Sequence, residues 1–239
     1  MTDSSYDYRG RAKYANTAQE VDELRALADK LFELNQDELA HAALAVSMHV
    51  MARTISGGLP PSSLLQSLIQ LLLDNDCSYA AIGGLAVNVH GTPRGTDDFD
   101  VLVDKFPPSN RLRDSAYMSR FGFYKAQSAT GTVLQIGPRQ GLGYVELLLA
   151  NSDLFRWALT EAKQETVLHA TLPVVTPHAL IALKAHAIAR TPARMAKDAS
   201  DILSVVHTSH VKDLDAKIRG HLTDDEWAIV TQIVPASAL

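Results

Sequence analysis

A single cysteine, Cys77, stands among 239 residues, which excludes an internal disulfide and any thiolate-rich zinc site and suits a reducing compartment. Its thiol is expected to fill core. Long apolar runs are missing as well. Nothing approaches the roughly twenty residues a spanning helix requires, and the polar, mixed-charge first twenty residues lack a basic-then-apolar signal pattern. The expectation is a cytoplasmic protein with no membrane partner. Positive charge is in short supply, with 22 Lys and Arg against 27 Asp and Glu and a formal net charge of -5. That argues against coating nucleic acid by bulk electrostatics, so DNA is not an expected partner, whereas a local basic patch for a short or folded RNA stays open. No Walker A loop, serine-nucleophile elbow, internal repeat or low-complexity segment is found, leaving hydrolase and P-loop readings without a motif.

What is present is an ordinary apolar share, 46%, enough for a real core in one large domain or a catalytic domain with helical additions. Val21, Leu24, Leu27, Leu31 and Leu34 recur at helical spacing. Asp37 is placed to cap a second helix carrying Leu39, Ala42, Ala43, Val46 and Val50, so residues 1–60 read as a helical N-terminal extension. After the Gly/Pro breaker at 56–61, Ser62 or Ser63 is expected to cap an apolar helix running to about Leu73. Short β-like runs follow at Tyr79–Ile82, Phe99–Val103, Gly122–Ala126, Thr132–Ile136 and Tyr144–Leu149. Ser152 opens a helix, Gln164–His169 and Leu172–Val175 read as strands, and Thr176-Pro177 starts a helix. The predicted fold is α/β (α+β): a mixed sheet in a core over 61–175, with a helical C-terminal region over 176–239.

The chemistry gathers between residues 79 and 104. A strand leads into Gly83-Gly84, a short helix, a loop holding Arg94 and Thr96, and a strand carrying Asp98-Phe99-Asp100. Residues two apart on a strand share a face, so Asp98 and Asp100 project together while Phe99, Val101 and Val103 turn away. Two carboxylates that close raise each other's pKa unless a cation lies between them, and Mg²⁺ favours such oxygen ligands. Asp97 falls on the face of Phe99 and is placed at a loop or rim. Gly83-Gly84 lets backbone approach a ligand, and the helix start behind it offers N–H groups to phosphate. Arg94 suits an oxyanion or the carboxylate strand, and Thr96 orders the turn.

Ile82-Gly83-Gly84, Arg94-Gly95-Thr96 and Asp98-Phe99-Asp100 resemble the signature of the DNA polymerase beta-like nucleotidyltransferases, over about Tyr79 to Val206. The similarity is nearest to the small prokaryotic branch that includes abortive-infection toxins of toxin–antitoxin systems, and more distant to aminoglycoside nucleotidyltransferases and tRNA CCA-adding enzymes. It implies transfer of NMP from an NTP such as ATP to an acceptor hydroxyl, on a tRNA 3′ end or a protein, with Mg²⁺ (two ions in the fuller version) and a cognate antitoxin as partner. It further implies a third carboxylate on a later strand. Glu146 in Tyr144-Val145-Glu146-Leu147 matches, although aspartate is more usual there, and Asp153 is the alternative.

The resemblance carries Lys184, in Leu180-Ile181-Ala182-Leu183-Lys184, toward the nucleotide. Read without it, Lys184 is a solvated charge over a packed stem, and Asp198 and Asp201 are residues that pair with bases at helical spacing. The site expected from the resemblance is therefore Asp98, Asp100 and Glu146 for metal and catalysis, with Gly83, Gly84, Arg94, Thr96 and Lys184 for the nucleotide. Two other readings stay open: a non-catalytic nucleotide- or partner-binding member of the fold, and a small-molecule transferase of the aminoglycoside type. His90 reads as a packed helix residue, His207, His210 and His221 as surface histidines, and Lys105, Arg111, Arg113, Arg120 and Lys125 as a solvated charged face.

Overall fold

The computed structural model describes residues 61–92, 99–123, 128–129, 131–137, 145–167 and 170–239, together with Ala26, Leu27 and Lys30 in helical conformation. The rest of the expected N-terminal hairpin, and the positions of Arg94, Thr96, Asp97 and Asp98, lie outside the described residues.

The chain enters through helix α1 (Pro61–Leu73). It begins at Pro61 and not after Ser62 or Ser63, because proline has no N–H to satisfy and its fixed φ suits a first helical turn. Strand β1 (Tyr79–Ala81) leads into α2 (Gly83–His90), then β2 (Phe99–Val103). The short helices α3 (Ser109–Arg113) and α4 (Ser115–Ser119) follow, with the Asp114 carboxylate accepting from the N–H groups of Ala116 and Tyr117 to start the second. Next come β3 (Ser128–Ala129), β4 (Val133–Ile136), β5 (Val145–Leu149), α5 (Asp153–Thr160), and the antiparallel pair β6 (Lys163–Val167) and β7 (Ala170–Val174). Where a strand was expected from Gly122, that residue is a turn with φ +73 and Phe123 makes an isolated bridge; 124–126 lie outside the described residues.

These strands form one mixed sheet in the order β3-β4-β5-β2-β1-β7-β6. β1 runs antiparallel to β2 and parallel to β7, while β2 runs parallel to β5. The central strands are apolar on both faces: Phe99, Val101, Leu102 and Val103 of β2 are all buried, as befits strands covered by helices on each side.

Thr176 accepts from the Ala179 N–H and Pro177 takes the first turn of α6 (Pro177–Arg190), as the sequence suggested. Ala179–Ala185 and Ile188 of this helix are buried, the charged Lys184 among them, while its end at Ala189 and Arg190 is exposed. A 3₁₀ turn (Pro192–Arg194) joins it to α7 (Met195–Thr208), followed by α8 (Leu214–Ile218) and α9 (Asp224–Ile233). α5, α7 and α9 pack around α6. The α/β core and the helical C-terminal region therefore meet along one buried helix. Among the described residues no helix is long and apolar enough to cross a membrane.

Candidate functional site

At the end of β1 the Ile82 N–H still bonds the Asp100 carbonyl, 3.0 Å away, so the β1–β2 ladder holds Gly83 directly against Asp100. Gly83 sits at φ +58, a left-handed conformation that glycine adopts without penalty. A Cβ built on it would overlap the Asp100 carboxylate and lie 2.8 Å from its Cγ and 2.9 Å from its Cβ. The glycine is required twice over, by its φ and by the carboxylate lying across it.

Asp100 and Glu146 are in register on the parallel strands β2 and β5. Residues paired in this way share a face on strands about 4.8 Å apart, so two carboxylates stand side by side. Gln135, in register with Glu146 on β4, donates from Nε2 to Glu146 Oε1 at 2.5 Å. Both acids line a cavity of about 180 Å³, together with Leu183, Lys184 and His186 of α6 and with Phe155, Arg194 and Asp198.

Lys184, which the resemblance carries toward the nucleotide, lines this cavity, and its ammonium is committed: Nζ lies 2.8 Å from Asp198 Oδ1 and 2.6 Å from Asp201 Oδ2. It is buried, not a solvated charge. Asp198 takes a further hydrogen bond from Arg194 Nε at 2.7 Å. Burial alone would raise the Asp198 carboxyl; the Arg194 and Lys184 hydrogen bonds and charges outweigh it and hold the group below its ordinary value. The Arg194 guanidinium is pushed above its ordinary value, foremost by the Asp198 hydrogen bond against the opposing effect of burial, with Asp100 and Asp201 adding to it. Arg194, absent from the sequence reading, is thus within electrostatic reach of Asp100. Its one legible signal was the four-residue helical spacing to Asp198.

Also on α6, His186 Nδ1 lies 2.6 Å from Glu226 Oε1 of α9, a second pair the sequence did not reveal. Asp153 stands apart: its side chain is 99% exposed at the start of α5 and pairs with Arg156 at 2.7 Å. Gly84 is buried in the first turn of α2, whose N-terminal residue Ile82 provides no side-chain cap. His90 packs, half-buried, with Nε2 2.8 Å from the Val175 carbonyl, and burial lowers its pKa. His207, His210 and His221 are exposed, and His221 stacks on Trp157 at 4.0 Å. Of the basic run, Arg111 is engaged with the Asp74 carbonyl and Asn75 at the end of α1. Among the described residues no group of three His, Cys, Asp or Glu could hold a metal ion; the site offers Asp100 and Glu146.

No family model and no curated protein sequence matches the chain. Solved structures similar to it include an antigenic nucleotidyltransferase-like protein from Paracoccidioides brasiliensis, 16% identical over 72% of this chain and 87% of that one, with TM-score 0.47. Also similar is the antibiotic-resistance factor ANT(2'')-Ia. Its solution structure is 11% identical over 72% and 89% of the two chains with TM-score 0.42. Its crystal structure with adenylyl-2"-tobramycin is 14% identical over 72% and 98% with TM-score 0.46.

Proposed function

We propose that this chain is a Mg²⁺-dependent nucleotidyltransferase that moves NMP from an NTP to an acceptor hydroxyl. The observation that carries the reading is the in-register placement of Asp100 and Glu146 over one cavity, with Gly83 stripped of a side chain where the Asp100 carboxylate lies. The donor chemistry fits a hard divalent cation: carboxylate oxygens on a shared face, with no thiolate or imidazole between them. Asp100 and Glu146, joined by Asp98 from the preceding residues, would hold the metal, as two ions in the fuller form. Bound there, it supplies charge neutralisation for the phosphates and activation of the attacking oxygen.

The rest falls to the chain itself. Gly83 and Gly84 bring backbone N–H groups to the phosphates, and on the resemblance Arg94 and Thr96 also serve the nucleotide. Lys184 acts through Asp198 and Asp201, fixing Arg194 at the cavity rim. Leu180, Leu183 and Phe155 form an apolar wall that limits water. In the toxin form of this reading the acceptor is a tRNA 3′ end or a protein, the setting is cytoplasmic, and a cognate antitoxin restrains the enzyme.

A second reading draws on Arg194. Its electrostatic coupling to Asp100 supports a non-catalytic nucleotide-binding form in which guanidinium supplies the charge a metal would bring. One experiment separates the two. The purified chain is incubated with Mg²⁺, each labelled NTP and total tRNA, beside the Asp98→Ala/Asp100→Ala variant. Label on RNA or on protein, lost in the variant while the fold persists, supports transfer and identifies the acceptor class. Transfer retained in the variant sinks the assignment, and NTP binding without Mg²⁺-dependent pyrophosphate release favours the binding form.

A further inference from the structure

The His186–Glu226 pair is largely buried, and His186 lines the same cavity as Asp100 and Glu146. The His186 and Glu226 side chains are 18% and 9% exposed, and Nδ1 stands 2.6 Å from Oε1. The other oxygen of Glu226, Oε2, accepts the Thr223 N–H at 2.8 Å, part of the capping box that begins α9. Burial would raise the Glu226 carboxyl, but the hydrogen bonds from the Thr223 backbone and His186 outweigh it and keep the group below its ordinary value. Glu226 is therefore an ionised acceptor with no proton to give, and the proton shared with His186 belongs to Nδ1. In the neutral ring this leaves a lone pair on Nε2. That nitrogen has no hydrogen-bonding partner among the described residues, and His186 lines the same cavity as Asp100 and Glu146. Phe155 packs edge-on at 5.4 Å and 72°, which restrains the ring's tilt.

Building on the nucleotidyltransferase reading, we propose that His186 is the catalytic base that takes the proton from the acceptor hydroxyl, with Glu226 as its positioning residue. The acceptor O–H bond breaks, its proton passes to Nε2, and its electron pair forms the new bond to the α-phosphorus. The bond from that phosphorus to the bridging oxygen breaks, and pyrophosphate leaves with that pair. The imidazolium so formed faces the Glu226 carboxylate, which stabilises the charge it has gained.

The test uses the full chain with Mg²⁺, labelled NTP and whichever acceptor the unaltered protein labels. His186→Gln is expected to lower kcat by about a hundredfold or more while the KM for NTP stays unchanged. Glu226→Gln should lower kcat with the same KM and move the His186 ring-nitrogen signals in a spectrum of ¹⁵N-histidine protein. Full-rate transfer by His186→Gln overturns the inference and leaves the nucleotidyltransferase reading standing; no transfer by the unaltered chain to any acceptor overturns both. Should His186→Gln fail to fold, the ¹⁵N spectrum of the unaltered chain decides. A proton on Nδ1 with Nε2 bare supports the assignment, and a proton on Nε2 overturns it.

Discussion

Replacing Lys184 with methionine isolates the value of the buried charges beside the cavity. Lys184, Asp198 and Asp201 have side chains 7%, 0% and 5% exposed, so water screens none of them. Methionine keeps the bulk of the aliphatic stem, and the loss reports charge more than packing. Removing one partner of a buried ion pair costs about 3–5 kcal/mol, because the remaining charge stays desolvated. Arg194 still bonds Asp198, but its side chain is 52% exposed, and such a pair offsets no more than about 1 kcal/mol. A chain of this length loses about 2–4 °C of melting temperature per kcal/mol, so a net loss of about 2–5 kcal/mol should make Lys184→Met melt roughly 4–20 °C lower at neutral pH. Melts followed by circular dichroism between pH 7 and 3 add a second readout. Asp198 is held below its ordinary value of 3.8; a carboxyl depressed in the fold contributes stability above that value and loses it as pH falls through the lower, folded one. With Lys184 gone, burial lifts the folded value, so the variant has less stability to lose in acid and its melting temperature should approach that of the unaltered chain as the pH falls. Adding Asp198→Asn and Asp201→Asn should restore much of the loss. A variant melting within about 2 °C of the parent, with an unmoved acid limb, refutes the reasoning.

Gly83→Ala must hold alanine at φ +58 and move the Asp100 carboxylate. The backbone term alone is about 1–2 kcal/mol, read as a fall of roughly 2–8 °C in melting temperature, and Mg²⁺ affinity measured by calorimetry should drop with it. An alanine variant that binds Mg²⁺ like the parent shows that Asp100 has no role in holding the ion. Arg194→Gln removes a half-exposed cation that feels Asp100; Mg²⁺ should then bind up to about fivefold tighter, the equivalent of about 1 kcal/mol, and unchanged or weaker binding shows that Arg194 does not compete with the ion.

Much of the sheet was legible because the strand signals are local. Phe99–Val103 and Val145–Leu149 are short apolar runs, each interrupted by one acid, and alternation alone put Asp100 opposite Phe99 and Val101. That Asp100 and Glu146 would stand side by side was not legible, since the register of β2 on β5 is fixed by packing across residues far apart in sequence. Helix starts at Ser152 and Thr176 were readable from the hydroxyl that accepts from the third residue on. Lys184 was placed near the site by resemblance, yet its partners lie fourteen and seventeen residues away on another helix, and nothing in the spacing distinguishes a buried triad from a solvated charge. His186 and Glu226, forty residues apart, left no local trace.

The charges around the cavity explain why these pieces belong together. Asp100, Glu146, Asp198 and Asp201 form one connected group with Lys184 and Arg194. Lys184 bonds two of these four carboxylates and Arg194 shares one of them, while Asp100 stands beside Glu146 on the neighbouring strand. Carboxylates on the inner edge of a sheet need compensating charge or hydrogen bonds, and the facing helix α6 brings Lys184 and His186 to the same cavity. Gly83 sharpens the point, because a side chain there would press the Asp100 carboxylate out of place, whereas its absence keeps the carboxylate beside the uncapped start of α2. On the proposed reading, a divalent ion would sit against this carboxylate pair and phosphate against the backbone N–H groups that begin α2.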